Sequence, residues 1–133
     1  MPERPKKTIE EVVAQDGRYP LDAVQFVREG LNYAVSQVYG NNESQLGGRR
    51  HISGSQLCEG LRELALKRWG MLSRMVLKRW GIERTRDFGE IVFMLVESGW
   101  MQKEPSDNIE DFDEVFELAD VFDGRIELPE EEG

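Results

Sequence analysis

Between Ser53 and Asp113 the chain stops itself three times where tryptophan and glycine meet: Trp69-Gly70, Trp80-Gly81 and Ser98-Gly99-Trp100. Each stop follows residues with helical periodicity, and glycine can take the left-handed conformation that ends a helix. The segment is thereby confined to three helices of limited length. Ser53-Gly54-Ser55-Gln56 reads as a capping box opening the first. Its inward stripe is Leu57, Leu61, Leu64 and Ala65, broken only by Arg68 near the end. Thr85 is placed to cap the third helix, whose buried face is Phe88, Ile91, Val92, Leu95 and Val96.

An eleven-residue echo links the first two stops: Leu64 to Met71 against Met75 to Ile82, both containing Leu-Lys-Arg-Trp-Gly. Two copies are too few to stack as a solenoid. They read as convergence on one stop signal, with cations in the last turn facing the negative end of the helix dipole. Beyond Gly99, residues 100–104 and 109–112 are expected to be strands of a hairpin that turns at Pro105-Ser106-Asp107-Asn108. Three helices and then a hairpin is the element order of a winged helix. The expected fold is mainly α with a small β-hairpin, and residues 53–113 form a winged-helix-like core.

Upstream, Thr8-Ile9-Glu10-Glu11 is another capping box and predicts a short helix over 9–16, ended by Gly17. Tyr19-Pro20 starts a longer helix with apolar residues at 23, 26, 27, 31, 34 and 38, stopping near Gly40. Gly30, in its middle, predicts a close helix crossing. Residues 8–39 form an N-terminal two-helix arm, too small for a core of its own, that packs on the winged-helix-like segment. Residues 40–52 are polar and glycine-rich and are expected to be a mobile loop. The 133 residues are expected to make a single domain, with an acidic tail over 114–133 that is expected to be disordered beyond Gly124.

Charge is distributed unevenly. Residues 1–48 hold 5 basic and 7 acidic side chains, 49–103 hold 11 and 6, and 104–133 hold 1 and 13. A basic middle is followed by a tail that either stays solvated or covers the basic middle and competes with an anionic partner. No apolar run approaches the length of a membrane span, and the first residues have no apolar signal region. One cysteine, Cys58, allows no internal disulfide, so a cytoplasmic setting is expected.

Chemical motifs are sparse. Asp87-Phe88-Gly89 has the letters of the kinase magnesium motif without the phosphate loop or catalytic loop, and it reads as a helix start. His51 and Cys58 stand alone, which excludes the usual transition-metal ligand sets within one chain. The tail carboxylates lack the spacing of a calcium loop. No catalytic residue, cofactor or metal is expected, and the chain is read as non-enzymatic.

A winged-helix order raises nucleic-acid binding, with the third helix in the major groove. Its outward stripe, however, is Arg86, Asp87, Glu90, Met94 and Glu97, mostly acidic where phosphate repulsion is strongest. Cations gather instead on the second helix and the turn after it: Arg74, Lys78, Arg79, Arg84 and Arg86. Trp69, Trp80 and Trp100 sit at helix ends where tryptophan locks packing, and Trp100 is the one expected to be partly exposed and to anchor a partner. The candidate partner-binding residues are therefore Arg74, Lys78, Arg79, Arg84, Arg86 and Trp100. The expected partner is a protein, another copy of the chain included. The alternative is a nucleic-acid- or ribosome-associated factor that also uses Arg49 and Arg50.

Tyr19-Pro20 with Phe26-Val27, His51-Ile52-Ser53-Gly54, Leu57 to Arg62, Trp80-Gly81-Ile82 and the block from Thr85 to Glu97 resemble a family of short bacterial proteins of unknown function. The resemblance spans roughly residues 8 to 118 and is most specific over Asp87 to Glu97. It implies a stand-alone intracellular protein and carries over no activity, cofactor or site.

Overall fold

Thr8 and Ser53 open their helices as their capping boxes require. The Thr8 hydroxyl accepts from the Glu11 amide at 3.0 Å and the Glu11 carboxylate accepts from the Thr8 amide at 2.9 Å. Ser53 and Gln56 exchange the equivalent bonds. In the computed structural model, which describes residues 7–40, 52–102 and 107–119, these caps begin α1 (Ile9–Asp16) and α3 (Gly54–Trp69). The other helices are α2 (Leu21–Tyr39), α4 (Ser73–Arg79) and α5 (Thr85–Glu97), with 3-10 turns at Gly70–Leu72 and Ile109–Phe112. The fold is mainly helical. Arg49, Arg50, His51 and nearly all of the loop expected over 40–52 lie outside the described residues, as do residues 103–106 and 120–133.

The core is built on the crossing of α2 and α3. A Cβ on Gly30 would stand 2.1 Å from Leu61 Cδ2, and one on Gly60 would stand 2.5 Å from Ala34 Cβ. The two backbones meet closely because side chains are missing on both sides, as Gly30 predicted. Ala23, Val24, Phe26 and Val27 of α2 face Leu57, Cys58, Leu61 and Ala65 of α3 within one buried cluster. Cys58, fully buried, belongs to its centre; burial pushes its thiol up to about 12, so it is an apolar filler and a poor nucleophile. Three stripe assignments shift: Leu64 is half-buried, Arg68 is exposed and pairs with Glu29 at 2.7 Å, and Val38 is 41% exposed near the end of α2.

The echoed stop signals have a shared destination. Trp69 and Trp80 meet edge to face at 5.5 Å between centroids, and Phe26 lies 5.1 Å and 5.9 Å from them. Such tilted arrangements add to the area these rings bury. Gly70 and Gly81, both at positive φ (54° and 85°), release the chain after each tryptophan. Between them the chain makes a 3-10 turn before the seven residues of α4. The buried Ser73 hydroxyl lies 3.0 Å from the Ala65 carbonyl and 2.7 Å from that of Gly70, fixing α4 against the end of α3.

On α5, Phe88, Ile91 and Leu95 are buried as expected, while Val92 and Val96 are half-buried. Met94, assigned from the sequence to the exposed stripe, is only 7% exposed. It lies seven residues from Asp87, hence on the same side of the helix. The arm covers that side: the Tyr19 hydroxyl donates to Asp87 Oδ1 at 2.7 Å and Arg18 pairs with Glu90 at 2.7 Å. Thr85 does not cap α5. Its hydroxyl is buried, donates to the Phe112 carbonyl at 2.6 Å and accepts from the Val115 amide at 3.1 Å. Capping falls to Asp87, whose Oδ2 accepts from the Glu83 and Arg84 amides at 2.8 and 3.0 Å.

The expected hairpin is corrected. Among the described residues there is no strand. Trp100 and Met101 wrap back so that both amides donate to the Leu95 carbonyl, at 2.8 and 3.2 Å. Residues 109–112 form a 3-10 turn, because the Asp111 carboxylate accepts from the Asn108 amide at 3.1 Å and the Asp111 amide donates to the Asn108 carbonyl. Phe112 is buried between α3 and α5, against Gly54 and Gly89. The turn expected at Pro105-Ser106 falls outside the described residues.

Candidate functional site

Of the six candidate residues, Arg86 and Trp100 are used inside the fold, and Lys78, Arg79 and Arg84 are exposed. Arg86 is engaged: its Nη1 lies 2.9 and 3.0 Å from the two Asp113 carboxylate oxygens, and its Nε lies 3.4 Å from Glu90. Trp100 is engaged too. Its indole N–H donates to the Lys7 carbonyl at 3.0 Å, and the Arg28 guanidinium lies 5.7 Å from its ring centroid. It ties the start of the arm and α2 to the end of α5, which accounts for a half-buried tryptophan without an outside partner.

Arg74, Lys78 and Arg79 share α4, and Arg84 is exposed in the turn before α5. Lys78 and Arg79 are exposed and make no ion pair among the described residues. Next to them stands a feature the sequence concealed. Met71, Leu72 and Met75 are 65%, 56% and 57% exposed. Spacings of three and four residues place Met75 on one side with Met71 and Leu72 before it and Lys78 and Arg79 after it. The result is one continuous face, apolar at its start and cationic at its end. The inward side of α4 is Ser73 and Leu77, and a small serine in the buried stripe hides the register from any count of apolar residues.

Other concave features are less suited to a ligand. A depression of about 490 Å³ beside the start of α5 is walled by Glu83, Arg84, Arg86, Asp113, Glu114 and Glu117, where carboxylates outnumber cations and Arg86 is already paired. A shallower groove of about 190 Å³ between the end of α2 and the start of α3 carries Val38, Glu59 and Glu63. Among the described residues no group of three or more His, Cys, Asp or Glu side chains is placed to hold a metal ion, and no helix is long and apolar enough to cross a membrane.

The arm is held by a titrating contact. Burial, and then the hydrogen bond to Asp87, pushes the Tyr19 phenol above its ordinary value near 10. A phenol whose folded pKa is raised contributes stability that is fully present below the unfolded pKa and is lost as pH rises from there through the folded pKa. Stability is therefore expected to fall as pH rises above about 10, where unfolded tyrosine ionises while the folded phenol stays protonated. Urea unfolding across that range should show a shallower decline for Tyr19→Phe, which is less stable than the native chain at neutral pH. Parallel declines in the two proteins would refute the contact.

No family model, no curated protein and no solved structure matches this chain.

Proposed function

We propose that this protein is a non-enzymatic interaction module and that the outer face of α4, with the turn before it, holds a protein partner. Support comes from three large apolar side chains standing in water side by side, Met71, Leu72 and Met75. A contiguous apolar patch rimmed by charge is what protein contact surfaces present. Two methionines suit it to a partner helix, because an unbranched thioether side chain adapts its shape on contact. Lys78 and Arg79 at the far end define the other half of the chemistry: the partner segment is amphipathic and carries carboxylates beside its apolar anchors. An intracellular setting belongs to the same reading, supported by the single buried Cys58 and implied by the resemblance to short bacterial proteins.

Lys78, Arg79 and Arg84 keep a nucleic-acid partner in view, but α5 offers it little. Asp87 and Glu90 are engaged by the arm, Glu97 stays exposed, Arg86 is neutralised by Asp113, and the described part of the expected wing folds back as a 3-10 turn. The double variant Leu72→Glu/Met75→Glu is expected to keep the native melt, since exposed substitutions change stability by about 0.5 kcal/mol or less. In a pull-down from cell extract it should lose the protein that the native chain retains, with or without nuclease. Retention by the variant, or loss on nuclease treatment of the native complex, would refute the reading.

A further inference from the structure

We propose that Met71 and Met75 form an oxidation site at which a hydroperoxide closes the α4 face to its partner and a thiol reductant reopens it. The inference rests on the reading of that face as a docking surface and adds its regulation. Susceptibility of a thioether to oxidation follows its exposure. Met71 and Met75 are 65% and 57% exposed, whereas Met94 is 7% exposed and Met101 is half-buried. The one thiol, Cys58, is fully buried, and burial holds it protonated, its value pushed up to about 12. Among the described residues, the sulfurs open to an oxidant are therefore the two that stand on the docking face.

A sulfur lone pair attacks one peroxide oxygen, the O–O bond breaks and an S–O bond forms; sulfur loses two electrons, and hydrogen peroxide leaves as water. Two thiols return the two electrons and two protons, leaving a disulfide and water. Cys58 cannot serve as that reductant, being single and buried, so the reducing pair is external. Each sulfoxide adds a strong acceptor oxygen to a side chain that docks as an apolar anchor. Met71 and Met75 lie four residues apart, and Lys78 and Arg79 follow Met75 by three and four. The new oxygen of Met75 thus finds N–H donors on its own helix, and an incoming apolar side chain would bury it or break that contact. Two such oxygens should weaken docking at least about tenfold, while the core, which neither side chain enters, keeps its stability.

The isolated full-length protein tests this with hydrogen peroxide and the dye anilinonaphthalenesulfonate, whose rings and sulfonate match the apolar and cationic halves of the face. Peptide mapping is expected to show Met71 and Met75 gaining oxygen at least about tenfold faster than Met94, with the melt unchanged. Dye affinity should fall at least about tenfold on oxidation and return after treatment with a methionine sulfoxide reductase and a dithiol. Met71→Leu/Met75→Leu, which keeps the apolar volume, should bind dye alike before and after peroxide. Equal rates at Met94, a melt lowered by oxidation, no recovery on reduction, or the same loss in the leucine variant would overturn the inference. So would dye binding that survives oxidation of both methionines; if Leu72→Glu/Met75→Glu abolishes that binding, the docking face stands and only its redox control falls. Equal dye binding, or none, by the native chain and the glutamate variant removes the face itself, and the inference with it.

Discussion

Phe112→Ala is expected to lower the free energy of unfolding by about 3–5 kcal/mol, the usual cost of emptying a buried aromatic site. The ring leaves the surface almost completely, into space that two glycines hold open for it. A Cβ on Gly89 would come within 2.7 Å of it and one on Gly54 within 3.0 Å, so α3 and α5 have both given up side chains to admit it. Phe93 meets it edge-on at 6.5 Å between centroids. Its carbonyl accepts from the buried Thr85 hydroxyl, which in turn accepts from Val115, so losing the ring also loosens a buried polar pair. Thr85→Val should cost about 1–3 kcal/mol by orphaning those partners. The double variant should fall short of the sum, because both changes release the same segment. Urea denaturation measures all three. A hairpin wing at 109–112 would leave one side of the segment in water, and Phe112→Ala would then shift stability by less than about 1 kcal/mol.

This dependence on Phe112 marks where the sequence ceased to be legible. Helices α2, α3 and α5 are written in it by apolar period, and α1 and α3 by caps such as Thr8 with Glu11. Asn108 with Asp111 repeats the capping spacing in a segment too short for any period, and the turn residues from Pro105 to Asn108 suggested a hairpin. A polar cap was the better guide, because a four-residue turn has no stripe to count. Thr85 misled for a related reason: a hydroxyl before a helix serves the helix only if nothing else nearby is orphaned, and the incoming Phe112 carbonyl was. Met94 needed tertiary knowledge, since only the docking of Tyr19 and Arg18 on α5 determines that its side is covered. The candidate site divides along the same line. Cations were visible as letters, but whether Arg86 is spoken for by Asp113, and whether Met75 points outward, depends on partners distant in sequence.

The crossing of α2 and α3 offers the sharpest test of the architecture, because its two glycines fail in different ways. A methyl on Gly60 would meet Ala34 Cβ at 2.5 Å and Ala34 Cα at 3.0 Å. Backbone cannot rotate aside, so the helices must separate. Gly60→Val is accordingly expected to cost about 3 kcal/mol, the upper range for overpacking a core. Removing the Ala34 methyl by Ala34→Gly should return only part of it, since the backbone of α2 still stands in the way. On Gly30 the same methyl meets Leu61 Cδ2 at 2.1 Å and Cγ at 2.8 Å, while the Leu61 backbone is 3.8 Å away. Here a side chain alone is the obstacle. Gly30→Ala should therefore destabilise the native chain, yet become neutral or stabilising once Leu61→Ala has cleared the space. In that background alanine also gains about 1 kcal/mol over glycine in helix propensity. A thermodynamic cycle over Gly30 and Leu61 should report coupling of about 1–3 kcal/mol, against nearly none between Gly30 and the distant Phe112. Equal penalties for Gly30→Ala with and without Leu61 would mean that the two helices do not cross at these residues, and the core would have to be built on another pair of elements.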